Sequence, residues 1–405
     1  MKQVRQGRGC LATAASMVRL VSLVKVVVGR GIKKDVAVLA DFPAVVSTNR
    51  CSDLNLTGFA KAMDCGPPLS APCFDFSRCR DHPTVYVYDS QCSLADSKNI
   101  PHRGVQSPFL EEALRAGVLA DTYESACVFI HAESKNKLGE PPCATKAPLW
   151  NEGRNHVMFD VSDPARDNRP GYSGSYAMEA ATSQHSCYYR SGYDISVGHY
   201  PKVVFHGLQS TRPEDRRYFL TFRGKLYLES MRGSEERASI LNLHDDSSGV
   251  VVVATCADFL VAHWPEYVEQ CAQLLPTYNA YNFELLMNST FALLPGGGSP
   301  GTHRLAEANF QQVMSSGSIP VFVVRDYVKP FTERVDWSAF SFTFSPEEVP
   351  DMLRTLRSVP QDELLEMQRE SIKAYWKIYG GRINYTWIAR LVIDIVLRRI
   401  GHRED

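Results

Sequence analysis

Residues 288–330, reading NSTFALLPGGGSPGTHRLAEANFQQVMSSGSIPVFVVRDYVKP, restrict the fold more than any other stretch of the chain. Phe291 to Leu294 is a short apolar run of buried-strand type. Pro295 and the glycines Gly296, Gly297 and Gly298 break it. A helical stretch starts near Thr302, carries Arg304 and Glu307, and stops at Gly317. Ile319 to Val324 is a second apolar run. Strand, glycine loop, helix and strand make one βαβ unit. Glycines at such a turn let backbone N–H groups reach an anion at the helix N-terminus, where the dipole favours negative charge. Arg304, on the first turn, adds a fork of donors suited to phosphate. Glu307, three residues on, shares its face and offers an acceptor to a sugar hydroxyl. No Gly-Lys-Ser/Thr follows the loop, so it is not a Walker A motif.

A chain of 405 residues has room for two domains with sizeable cores. A hydrophobic share of 44% and a charged share of 22% describe a globular protein rather than a disordered one. A net charge of −1 leaves no electrostatic footprint for nucleic acid. Eleven cysteines and three N-x-S/T sequons, at Asn55, Asn288 and Asn384, point to an oxidising, lumenal compartment. Residues 1–34 carry eight Lys and Arg and no acid. Their apolar run, Leu11 to Val28, is broken by Arg19 and Lys25, and a cation in mid-span makes a poor transmembrane helix. A degenerate signal anchor, a basic amphipathic segment and a misplaced start all fit this stretch.

Along the chain, Thr84 to Tyr88 and Ala126 to His131 read as strands. Ser107-Pro108 reads as N-cap and first residue of a helix running to Ala116. Trp150 to His156 (WNEGRNH) precedes a strand at Val157 to Val161, and Ala177 to Gln184 reads as helical. Polar residues crowded at a strand end suit the edge of a cleft. Thr211 to Arg217 is a polar linker, and Tyr218 to Phe222 opens the next strand set. Arg223-Gly224-Lys225 follows that strand, and Arg237 begins the next helix. Ligands of open α/β sheets sit at the carboxyl ends of strands, so Arg223, Lys225 and Arg237 are candidate diphosphate contacts, against the plain reading of exposed basic residues. Gly249 to Ala254 is another buried-type strand. Helical periodicity then covers 346–359, 362–379 and 383–400, the last too rich in charge (Arg390, Asp394, Arg398, Arg399) for a membrane span. The cysteine spacing makes no zinc site and by itself leaves the pairing open. Apolar strands alternate with helices twice over, which argues for two α/β domains with parallel sheets.

These runs resemble the exostosin glycosyltransferases, a family known for polymerising heparan sulfate. The residues that carry the likeness are Asn288, Thr290, Phe291, Pro295, Arg304-Leu305, Glu307, Gly317, Ile319-Pro320-Val321, Pro330-Phe331 and Asp336-Trp337, with Cys73-Phe-Asp-Phe-Ser-Arg-Cys79, the Trp150 to His156 run and Tyr189-Arg190 to Asp194 upstream. Asp194 reads as structural. The resemblance implies the GT-B form of α/β fold, with two Rossmann-like domains facing a cleft. The expected division is a basic segment 1–50, an acceptor-side domain 51–215 and a nucleotide-sugar domain 216–405 closed by C-terminal helices. It implies disulfides Cys65–Cys73, Cys79–Cys127 and Cys256–Cys271. It implies transfer from a UDP-sugar to a glycan or glycoprotein acceptor, a Golgi membrane or lumen location with a type II anchor, and a homodimer or heterodimer with another exostosin-like chain.

The chain has no Asp-x-Asp triplet, so no metal is expected, and cationic groups are left to stabilise the leaving group. The donor set is then Arg223, Lys225, Arg237, Gly296, Gly297, Gly298, Ser299, Arg304 and Glu307. Arg154 and Asn155 would line the acceptor side, with His156 as the base of an inverting reaction. Three departures stand against the family pattern. The loop holds only glycines where relatives often have an arginine. Ala308 to Gln312 looks inserted, and five residues turn a helix by about 140°. The likeness also covers one transferase domain, so one activity at most is expected. The alternative is a catalytically silent subunit that binds a partner transferase.

Overall fold

The computed structural model describes residues 65–66, 69–79, 82–93, 104–133, 142–161, 175–182, 184–226, 234–256, 268–296 and 304–401. The first sheet holds β1 (Val85–Val87), β2 (Val128–Glu133), β3 (His156–Asp160), β4 (Met178–Ala181) and β5 (Ile195–Ser196), parallel and side by side in chain order. The second holds β6 (Tyr218–Leu226), β7 (Val250–Cys256), β8 (Ser289–Pro295), β9 (Ile319–Val323) and β10 (Phe342–Phe344), also parallel, in the order β10-β9-β8-β6-β7. This is the two-sheet α/β architecture that the resemblance implied. Parallel strands are covered on both faces, so they read as unbroken apolar runs. Val250 to Val253 and Phe291 to Leu294 are all buried, as that rule requires.

Helices α1 (Gln106–Arg115), α2 (Ser234–Leu241), α3 (Val268–Ala280), α4 (Phe283–Leu286), α5 (Arg304–Ser316), α6 (Val349–Arg357), α7 (Gln361–Tyr379) and α8 (Thr386–Gly401) cover the sheets. α5 packs on β8 and β9, with α7 laid over it. α8 crosses back to the first sheet and packs on α1. Arg399 of α8 donates to Asp194 O at 3.1 Å, and Tyr385, just before α8, sets its ring on Phe159 of β3. No helix of the described residues is long and apolar enough to cross a membrane. The basic segment 1–50 lies outside the described residues.

The linker is fastened by one buried cation. Arg216 donates to Leu208 O (2.8 Å), Thr211 O (3.1 Å), Met287 O (3.3 Å) and Ser316 O (2.8 Å). Burial pushes its guanidinium down to about 10, which leaves it charged at neutral pH. Ser316 ends α5, so the cation also meets the negative pole of that helix. Gly317, at φ +75°, caps α5 in the left-handed region, 3.1 Å of Cβ clearance from the same guanidinium.

Four local expectations change. Ala177 to Gln184 contains the strand β4 rather than a helix: Met178, Ala180 and Ala181 are buried in parallel pairing with β3, and sheet burial overrides the helical preference of Met, Glu and Ala. β6 runs on to Leu226, so Arg223, Gly224 and Lys225 lie within the strand and not beyond it. α1 starts at Gln106 without a side-chain cap, which places Ser107 and Pro108 inside its first turn. Arg237 sits mid-helix in α2.

Candidate active site

In the second sheet the chain leaves β6 toward β7 on one side and returns to β8 on the other, so the strand order switches between β6 and β8. The carboxyl ends at such a switch form a crevice that binds ligands. Arg237 fastens this crevice. Its side chain is 2% exposed, its Nε donates to Gly296 O at 2.8 Å, and an Nη donates to Lys225 O. One guanidinium thus joins the ends of β6 and β8 at the start of the glycine loop. Glu236 lies against Gly296, its Cδ 3.2 Å from where a Cβ would stand.

The two sheets meet through their carboxyl ends. After β4, Ser186 N donates to Asp326 O (2.8 Å), and His185 forms an antiparallel bridge with Tyr327. Val328 N donates to Gln184 O (2.9 Å), and Ser196 Oγ at the end of β5 donates to Val328 O (2.8 Å). Phe331 N donates to Ser196 O at 2.8 Å. Gly198, just beyond β5, is closely packed: a Cβ there would stand 2.6 Å from Tyr379 Oη and 3.4 Å from Gln311 Nε2. Gln311 is fully buried, and neither of its amide atoms has a hydrogen-bond partner among the described residues. Phe310, Gln311 and Gln312 of the segment expected to be inserted are buried. α5 is regular through Ala308 to Gln312, without a bulge, and Phe310 packs on Trp337 at 5.6 Å.

The expected donor residues fall into three groups. Arg237, Gly296 and the Lys225 carbonyl come together as described. Arg223 does not join them: it donates to Tyr281 O and Tyr278 Oη, each at 2.8 Å, and stacks over the Tyr278 ring. Gly297, Gly298 and Ser299 lie outside the described residues, as do the side chains of Arg304 and Glu307, whose backbone forms the first turns of α5.

The expected acceptor residues lie at one edge of the first sheet. Arg154, Asn155 and His156 enter β3 and so stand at the amino edge of the first sheet, opposite the edge that meets β9. Asn155 is a staple: its Oδ1 accepts from Asp75 N (2.8 Å), and its Nδ2 donates to Asp75 O (2.9 Å) and Cys127 O (2.8 Å). Arg154 donates to Pro72 O at 2.8 Å and covers the Tyr176 ring. His156 is 1% exposed, with Nδ1 2.9 Å from Arg154 O and Nε2 3.0 Å from Tyr88 Oη, and it stacks on Phe129. Burial pushes its pKa down to about 3. Both ring nitrogens are thus engaged and shut away from solvent. Asp194 is structural as read, 1% exposed and paired with Arg190 at 2.6 Å.

Cys65–Cys73, Cys79–Cys127 and Cys256–Cys271 are disulfides. Cys92–Cys143 is a fourth, which the sequence reading did not name, and Cys187 is disulfide-bonded as well. His131 Nε2 lies 3.5 Å from Cys143 Sγ, so the apparent Cys92-His131-Cys143 metal cluster is a disulfide beside a histidine. Asn384 is exposed in the turn before α8, whereas Asn288 is half-buried with its Oδ1 enclosed; Asn55 lies outside the described residues.

A family model of the Exostosin GT47 domain matches residues 83–359. Exostosin-1 of Drosophila melanogaster is 29% identical over 336 residues, covering 77% of this chain and 42% of that protein. The Exostosin-1 homolog of Caenorhabditis elegans is 24% identical over 356 residues, covering 82% and 89%. Exostosin-2 of Mus musculus is 26% identical over 342 residues, covering 79% and 45%. The chain thus spans less than half the length of the first and third. Among solved structures, a glycosyltransferase from Rickettsia africae aligns with 80% of this chain and 100% of its own at 10% identity and TM-score 0.35. The E. coli trehalose-6-phosphate structure with UDP-2-fluoro glucose aligns with 71% and 76% at 13% identity and TM-score 0.36.

Proposed function

The chain belongs to the exostosin GT47 family, and on that premise we propose that it moves a sugar from a UDP-sugar to a glycan or glycoprotein acceptor, with inversion and without an obligatory metal. The observation that supports this most is the Arg237 clamp, which fixes the carboxyl ends of β6 and β8 at the mouth of the glycine loop. A diphosphate held there faces the N-terminus of α5, whose dipole favours the charge that develops as the glycosidic bond breaks. Arg304 adds the cation, and Glu307 takes the ribose. Arg237 acts by holding the two strand ends in place.

The base then comes from the opposite wall. Asp160, the last residue of β3, is 8% exposed and lies at the carboxyl edge of the first sheet, beside Glu133 in the strand register. A carboxylate in that position takes the role expected of His156. The disulfides favour a secretory compartment, in keeping with a Golgi location.

The burial of His156 is the observation that favours the second reading, a silent subunit that binds a partner exostosin-like chain. Thermal shift with UDP on the wild type and Arg304→Ala separates donor binding from its absence. UDP at a hundred times its Kd raises stability by about 2.7 kcal/mol. A shift in the wild type, lost in Arg304→Ala, with turnover that falls a hundredfold or more in Asp160→Asn at unchanged UDP affinity, is the expected result. UDP binding without turnover on any UDP-sugar turns the conclusion to the silent subunit.

A further inference from the structure

Beside the junction of the sheets lies an open surface pocket of about 870 Å³, lined by Tyr327, Lys329, Arg334, Asp336, Trp337 and Thr343. The chain after β9 touches the first sheet through Tyr327 and Val328, then turns back at Phe331. Phe331 has φ +52° and Asp326 φ +51°, a region that residues other than glycine seldom enter. Trp337 pins the turn by donating its indole N–H to Pro330 O at 2.8 Å. Such strain persists only where the surroundings over-determine it, and it gathers at ligand clamps.

The charges on this pocket are unequally committed. Glu333 is paired with Arg399, and Arg334 with Asp394. Asp336 accepts from Ser338 Oγ at 2.5 Å and Ser338 N at 3.0 Å, and these bonds hold its carboxyl below the usual range. Lys329 differs from all three. It forms no ion pair among the described residues; its Nζ donates to Ser341 Oγ at 3.2 Å and lies 4.9 Å from the centre of the Phe322 ring. Burial pushes it down to about 8. Ser341 Oγ itself donates to Trp337 O at 2.7 Å, so it aims the ammonium and leaves two of its N–H groups for another acceptor. A desolvated cation with one neutral partner gains from an anion brought beside it.

We infer that the pocket is an oxyanion subsite, where Lys329 receives a phosphate or carboxylate group of a substrate. The inference deepens the transferase reading, on which it rests for the word substrate. The test is thermal shift of the full chain with inorganic phosphate, UDP and a free hexuronate, for the wild type, Lys329→Met and Lys329→Arg. Lys329→Met is a near-isosteric neutral change at a half-buried site, and its unliganded Tm checks that it folds. The expected result is a rise in Tm at pH 7 that fades above pH 8, is lost in Lys329→Met and is partly kept in Lys329→Arg. Loss of the phosphate response alone assigns the subsite to a phosphoryl group other than the diphosphate at the glycine loop; loss of the hexuronate response alone assigns it to an acidic sugar. Equal responses of the wild type and Lys329→Met, or none in either, overturn the subsite. UDP binding that survives alongside that outcome leaves the transferase reading standing. A phosphate response lost in Lys329→Met without any UDP binding does the reverse.

Discussion

At the amino edge of the first sheet, Asn155 hydrogen-bonds Asp75 and Cys127 while His156 lies sealed between Tyr88 and Phe129. At the carboxyl edge of the second, Arg237 joins Lys225 O to Gly296 O at the mouth of the glycine loop. Both are buried polar clusters at strand ends, and both carry residues that look functional. Their partners differ in kind. The first cluster is closed on itself, with the Asn155 side-chain amide answered by backbone at both its oxygen and its nitrogen. The second lies at the strand ends that lead into the glycine loop, and the sheets meet along the same edge. Burial and hydrogen bonding alone do not mark a site; the edge of a parallel sheet on which they occur does.

The disulfides sharpen this contrast most. Cys79–Cys127 closes a separation of 48 residues at the amino edge, and Cys256–Cys271 closes 15 at the carboxyl end of β7. On loop entropy, replacing the first pair by serine costs about 4 kcal/mol and the second about 3 kcal/mol. Denaturant unfolding of the two double variants measures this. UDP affinity is expected to survive loss of the first pair and to weaken with loss of the second, and the opposite order breaks the comparison.

Asn155→Ala and Arg237→Met come next, each costing about 2–3 kcal/mol through buried partners left unanswered. Arg237→Met is expected to weaken UDP at least tenfold, about 1.4 kcal/mol, while Asn155→Ala leaves Kd unchanged in calorimetry. Glycines at the two edges divide in the same way. Gly153, at φ +92°, would set a Cβ 2.5 Å from Ala177 N, so Gly153→Ala costs about 2 kcal/mol or more. Gly296 meets only the flexible Glu236 side chain at 3.2 Å, so Gly296→Ala costs under about 1 kcal/mol and acts on UDP affinity instead.

The sheets themselves were legible, because buried parallel strands such as Val250 to Val253 and Ile319 to Val323 are continuous apolar runs between turn signals. β4 was not, since Met-Glu-Ala-Ala prefers helix and becomes a strand only by pairing with β3. The WNEGRNH run was visible as a special cluster, and its order before β3 already placed it at the amino edge. Treating polarity at a strand end as enough missed that direction. Arg223 was misplaced by the same kind of error, a strand ended four residues early. Three disulfides came through family likeness, but Cys92–Cys143 depends on how separated loops meet in space. The Lys329 pocket depends on positive φ at Asp326 and Phe331, which no residue type announces.

The cleanest separation of the two edges comes from pH, because the desolvated base at each acts in a different window. His156 falls from an ordinary value of 6.5 to about 3, so the unfolded chain binds its proton and the folded chain refuses it. Its contribution is whole above about 6.5 and is lost as pH falls toward 3, at up to about 1.4 kcal/mol per pH unit. Lys329 falls from 10.5 to about 8, so between those values the unfolded chain again holds the extra proton, and stability rises with pH across that alkaline window. His156→Gln should flatten the acid limb of the stability profile and leave the alkaline limb alone, and Lys329→Met should do the converse. Unfolding free energies of the three proteins from pH 4 to 10 decide it. An unchanged acid slope in His156→Gln means that the imidazole titrates near its ordinary value and is open to solvent, which would restore it as a candidate base and dissolve the distinction between the edges.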